Sequence, residues 1–182
     1  ALARVGETER FFRALCQANP IGIQSLAPSA TLRQANCYYS SSDAAFEDRY
    51  QASAEYERVT RGTVPLDGGW RVYSSGAGIG LALIMRRFLG LGIEARDVTF
   101  DPVIPASLNG LRVQLSLFGK AVSVVYEIDS AGWGVSEVSV NGQSISLTHD
   151  ANPNRKGAAR VDRAALSARL DQPDNTITIK VG

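Results

Sequence analysis

The sequence is poor in the residues that most often carry catalysis and metal binding. It has one histidine, two cysteines and one methionine in 182 residues. Any Ser-His-Asp or Cys-His arrangement would have to be built on His149. That residue sits in a polar stretch, Thr148-His149-Asp150-Ala151-Asn152-Pro153-Asn154, and is expected to be an exposed loop histidine. Cys16 and Cys37 lie far apart and make neither a CxxC nor a Cys/His cluster, which argues against a zinc site and against a disulfide framework. Two free thiols suit a reducing compartment, so the expected location is cytoplasmic. Neither sign of charge dominates: 19 basic and 18 acidic residues leave a formal charge of +1. Nucleic acid and anionic membranes are therefore not expected as partners. The longest uncharged apolar run, 79–85, is closed by Arg86 and Arg87, far short of the about 20 residues that span a bilayer. The one methionine is Met85 and the chain opens Ala1-Leu2-Ala3-Arg4, so it is expected to be a processed product or a piece of a longer protein. The opening also lacks the layout of a signal peptide.

What is present is enough for a folded core: 45% of residues are hydrophobic and 20% charged. The chain changes character near residue 95. Before it the apolar spacing is helical. Leu2, Val5, Phe12, Leu15 and Cys16 recur on one face of a first helix, which Asn19-Pro20 ends. Residues 20–42 are rich in Ser, Pro, Gln and Asn and read as irregular. A second helix is expected over about 43–59, capped by Asp43, with Phe46, Tyr50 and Tyr56 as its aromatic side. After a turn-rich break at 65–69, a third helix is expected over about 78–89. It is apolar on nearly every face, which belongs inside a larger body.

After residue 95 the period becomes two. Val98 and Phe100 begin it, and 111–117 alternates cleanly. A turn at Gly119-Lys120 follows, then Val122, Val124, Tyr126 and Ile128. The run 135–140, the hairpin pair Asn141-Gly142 and the run 144–147 come next. A short helix over 163–170 and a last strand over 176–181 complete the pattern. Short strands without long helices between them imply an antiparallel β-sandwich, and the whole an α+β chain. The third helix has too few partners in such a chain, so a preceding domain or a second copy of the chain is expected to cover it.

Two segments look chemical. Gly69-Trp70-Arg71-Val72-Tyr73-Ser74-Ser75-Gly76-Ala77-Gly78 runs into the third helix. Hydroxyls and glycines at a helix N-terminus let free N–H groups approach an anion such as phosphate. The same residues also suit a serine N-cap and a glycine turn, with Trp70 and Tyr73 packed as core. The second segment is Asn36-Cys37-Tyr38-Tyr39-Ser40-Ser41-Ser42-Asp43. Ring faces beside amides and hydroxyls are what a sugar pocket uses, and equally what a surface loop before a capped helix contains. Asp43, Glu47 and Asp48 offer carboxylates, but helix-start acids are ordinarily solvated and no acid/base role is assigned to them.

These segments resemble a known family. Asn19-Pro20-Ile21-Gly22, the stretch from Gln34 to Phe46, the stretch from Gly69 to Gly78, Leu89-Gly90, Asp101-Pro102-Val103-Ile104-Pro105 and Leu108-Asn109-Gly110-Leu111 are similar, in the same order, to the C-terminal end of glycoside hydrolase family 94, the inverting glycoside phosphorylases once called glycosyltransferase family 36. The likeness covers most of residues 1–160. Its wording is nearest the β-1,2-glucan branch, which holds oligoglucan phosphorylases and the phosphorylase-like end of cyclic glucan synthases.

The resemblance implies that 1–94 supply the last helices of an (α/α)6 barrel and that 95–182 form a small jelly roll. It implies that phosphate attacks the anomeric carbon with inversion while one carboxylic acid protonates the leaving oxygen. Ser74, Ser75 and Gly76 match the family's phosphate-binding hydroxyl–glycine element, and Asn36, Tyr38 and Tyr39 fall near its sugar sites. Inorganic phosphate would be co-substrate, β-glucan the partner, and no metal or other cofactor is implied. Absent barrel and sandwich domains would precede the chain, and self-association is possible through the uncovered helix. A glucan-synthase context would put the chain at the cytoplasmic side of the inner membrane. The family's Asp-Trp-Asn-Asp motif, which holds the general acid, does not occur here, and Ala77 stands where proline is expected. The alternative is a non-catalytic sandwich that binds sugar or braces a neighbouring domain.

Overall fold

The computed structural model describes residues 1–18, 44–61, 63–65, 74–129 and 134–182, with backbone alone at 17–18, 60 and 74–77. The chain divides into two compact units, one made of 1–12 with 82–182 and the other of 13–81.

The helices come first. α1 (Leu2–Val5) stops at Gly6, which takes a left-handed φ of 78° and returns its N–H to Ala3 and Leu2 carbonyls. α2 (Thr8–Ala18) then starts afresh. The single first helix expected from the 2–16 spacing is thus two, because a glycine cap interrupts it. The second expected helix is also two: α3 (Arg49–Ala54) and α4 (Glu57–Thr60). Its cap is Asp48, whose carboxylate accepts the Tyr50 and Gln51 N–H groups at 2.8 Å. Asp43, the expected cap, lies outside the described residues. Tyr50 and Tyr56 point to solvent rather than forming a packed aromatic side. α5 (Ser74–Leu83) begins four residues before the expected start and runs on as a π-helical turn, Ile84–Phe88. Ile79 and Leu81 on it are about three-fifths exposed. The described α-helices run from 4 to 11 residues.

The second half folds as two sheets, consistent with a sandwich. One has the order β1-β2-β8-β7, built from Leu91–Ile93, Asp97–Phe100, Ala159–Asp162 and Thr148–His149. The other has the order β3-β4-β9-β5-β6, built from Arg112–Leu117, Lys120–Ile128, Asn175–Val181, Val135–Val140 and Gln143–Ser144. The alternation read from the sequence becomes burial: Val122, Val124, Tyr126, Ile177, Ile179, Val138 and Val140 are all at most 1% exposed. Val135 and Val138 are both buried although three residues apart, because a bulge at Ser136 absorbs the extra residue. α6 (Arg163–Arg169), capped by Asp162 through the Ala165 N–H, packs on β2 and β8 and buries Leu166.

Four sequence expectations need correction. The sandwich is not wholly antiparallel: β9 lies between β4 and β5 and runs parallel to β4. The β3–β4 turn is Phe118-Gly119, both at positive φ, one residue earlier than expected. The strand expected over 144–147 ends at Ser144 and gives way to β7. His149 is therefore in a strand, not a loop, and its Nε2–H donates to the Val135 carbonyl at 2.8 Å.

Candidate functional site

Within the first unit, the 150–158 loop joining β7 to β8 builds the most organised polar region described. Its ends are drawn together by the Asp150 N–H donating to Ala158 O at 3.0 Å. Gly157 is required there, since a Cβ would fall 1.8 Å from the Asp150 carbonyl oxygen. Asn152 accepts the Asn154 N–H at 3.0 Å and so turns the chain at Pro153.

That turn sends Arg155 inward, where its side chain is 4% exposed. Its guanidinium meets Asp101 as a two-point fork, Nη1 to Oδ1 at 2.6 Å and Nη2 to Oδ2 at 2.8 Å. Nε donates to the Ala3 carbonyl at 3.3 Å and Nη1 also to Lys156 O at 3.1 Å. Asp101 is placed by its own N–H, which donates to Gly90 O at 2.8 Å.

A second arginine organises the outer edge. Arg160 on β8 grips Asp150 with two bonds of 3.0 and 3.1 Å and reaches Glu94 at 2.7 Å and Asp97 at 3.1 Å. These acids, Asp150 foremost, hold the guanidinium above its already high ordinary range. Three carboxylates thus converge on one half-buried guanidinium.

Between the loop and the N-terminal segment lies an open cleft of about 770 Å³, lined among others by Arg4, Phe11, Leu83, Arg87, Asp101 and Asn152. A smaller cleft of about 310 Å³ shares Arg87, Asp101, Asp150 and Ala158 with it. Facing guanidinium, carboxylate and amide groups can hydrogen-bond hydroxyl-rich or anionic ligands. Among the described residues no group of three or more His, Cys, Asp or Glu is arranged to hold a metal ion, and no helix is long and apolar enough to cross a membrane.

The residues singled out in the sequence fall elsewhere. Ser74 and Ser75 open α5 and Gly76 follows in its first turn, so these residues are the helix N-terminus rather than a loop before it. Their side chains are not described. Asn36, Tyr38 and Tyr39 lie outside the described residues. Asp101, Asp150, Arg155 and Arg160 form no recognisable motif in the sequence. Asp101 and Arg155 are 54 positions apart, and nothing local marks a pair that only the strand order brings together.

Comparison with known proteins adds a separate line of support. Residues 90–179 match the family described as glycoside phosphorylase C-terminal domain. Over 180 residues, 99% of this chain, the sequence is 39% identical to a 1,2-beta-oligoglucan phosphorylase of Listeria innocua serovar 6a. The chain spans about 16% of that relative's length.

Proposed function

Residues 90–179 belong to the glycoside phosphorylase C-terminal domain family, and from that premise we propose that the chain is the C-terminal part of an inverting phosphorylase acting on β-1,2-linked glucan. The observation that carries the reading is the 39% identity extending over 180 residues, well beyond the domain itself, to a 1,2-beta-oligoglucan phosphorylase. In this reading a phosphate oxygen attacks the anomeric carbon, the glycosidic C–O bond breaks, and a carboxylic acid outside this chain protonates the leaving oxygen. The products are glucose 1-phosphate and a glucan one unit shorter.

The chain contributes contacts, not the acid. Ser74 and Ser75, with the backbone at Gly76, offer donors at the start of α5, where unpaired N–H groups favour an anion. Asn36, Tyr38 and Tyr39 are assigned to the sugar, by stacking and hydroxyl bonding. The helices ahead of the sandwich, with Ile79 and Leu81 bare, face the remainder of the protein, and the family's jelly roll is the two-sheet body. The protein works in the cytoplasm on inorganic phosphate and needs no other cofactor.

The test uses the full-length protein that carries this chain. Incubated with β-1,2-glucan and phosphate, it releases glucose 1-phosphate. Absence of release from any β-glucan or disaccharide overturns the reading. Ser74→Ala and Ser75→Ala together raise KM for phosphate about tenfold, with little change in KM for glucan, the size of one lost charge-assisted bond. An unchanged phosphate requirement removes the anion site.

A further inference from the structure

We propose that the Arg155–Asp101 pair is a latch that makes residues 1–12 a part of the sandwich. Four observations converge on it, all within the first unit. The Arg155 side chain is almost fully buried although it borders an open cleft, and it spends its donors on two separate stretches of chain, Asp101 and the Ala3 carbonyl, and on the carbonyl of its neighbour Lys156. Asn152, from the same loop, donates to the next carbonyl, that of Arg4, at 3.4 Å. Both carbonyls belong to α1: Ala3 O takes the Arg155 Nε–H in addition to the Gly6 N–H of the cap, and Arg4 O lies in the last turn, where helix carbonyls lack an intrahelical partner. Gly6 then turns the chain directly over the arginine stem: a Cβ there would lie 3.2 Å from Arg155 Cδ. Finally, Phe12 stacks on Phe88 at 5.6 Å, next to the two points, 12 and 82, where the chain passes out of this unit and back.

The matched family domain begins at residue 90. Taken alone, it would leave the Arg155 Nε–H without its acceptor, so the physical module is discontinuous and includes residues 1–12. Opening the latch frees 1–12 while the sheets remain intact, because neither side chain takes part in strand pairing and the Asp101 N–H bond to Gly90 O, which extends the β1–β2 pair, is backbone only. The latch stands on geometry alone and is independent of the phosphorylase reading.

Hydrogen–deuterium exchange on the protein carrying residues 1–182 tests it, comparing wild type with Arg155→Ala. Peptides within 1–12 are expected to exchange at least about tenfold faster, while β4 and β9 keep their protection. Unchanged exchange in 1–12 overturns the latch. Equal acceleration in β4 and β9 also overturns it, by showing ordinary core support. Where Arg155→Ala does not fold, Asp101→Asn, which keeps the shape and removes the charge, is expected to show the same selective pattern. Its absence overturns the proposal.

Discussion

Tyr126 shows how one polar atom can tie a core together. Its ring is fully buried on β4, and its hydroxyl donates to the Leu89 carbonyl at 2.8 Å, at the end of the π-helical turn. Tyr126→Phe leaves that carbonyl unpaired and is expected to cost about 1–2 kcal/mol, measured by urea denaturation at neutral pH. Burial also raises the phenol above its ordinary value of 10.0. The unfolded chain therefore releases this proton first, so stability is whole below about pH 10 and falls as pH rises further. Tyr126→Phe is expected to remove part of that alkaline slope, and an identical slope in both proteins refutes the linkage. Asn175 plays a similar part nearby: at 2% exposure it donates to Ala121 and Gln172 carbonyls and accepts from Gln172 N–H and Asn141 Nδ2. Neither role was visible in the sequence, where Tyr126 was one apolar position in an alternation and Asn175 lay just before the last expected strand.

The joints between elements divide into those set by local chemistry and those set by distant backbone. Gly142, in the Asn141-Gly142 turn, has φ 80° and open space beyond its missing Cβ. Gly90, between the π-helical turn and β1, has φ 68°, and a Cβ there would fall 2.1 Å from Pro102 N and 2.2 Å from Asp101 C. Gly142→Ala is expected to cost about 1 kcal/mol, the left-handed penalty alone. Gly90→Ala adds a clash with rigid backbone and is expected to cost more than about 3 kcal/mol or prevent folding. Equal melting temperatures for the two variants exclude the difference. The same division explains what could be read beforehand. The Asn141-Gly142 hairpin and the β3 and β4 alternation were legible because they rest on neighbouring residues. The short strands β1 and β8 were not, since three or four residues carry little period and their partners lie far along the chain. The parallel pairing of β4 with β9 is likewise fixed only by the assembled sheet. Of the candidate site, the helix start near Ser74 was legible to within four residues, whereas the arginine–carboxylate region was not.

At the scale of the molecule the two units differ in what they bury. Among the described residues, every buried hydrophobic residue but Val64 lies in the first unit, and Tyr50, Tyr56, Ile79 and Leu81 of the second are exposed. α3 buries none of its residues and so has little to resist opening. Native-state hydrogen exchange on this chain is expected to show amides of α3 and α4 at least about 10³-fold less protected than those of β4 and β9. Comparable protection in both units contradicts the assignment of stability to the sandwich. The position of β9 carries one more consequence. It is the last strand along the sequence and the central one of its sheet, flanked by β4 and β5. During translation those two flanking strands emerge first and must wait, each with an open edge, until residues 175–181 arrive. A polypeptide terminated before Asn175 has every other strand and no centre to assemble them on. Such a product leaves the facing edges of β4 and β5 unpaired, and is expected to be cut by added protease faster than a chain that includes 175–181.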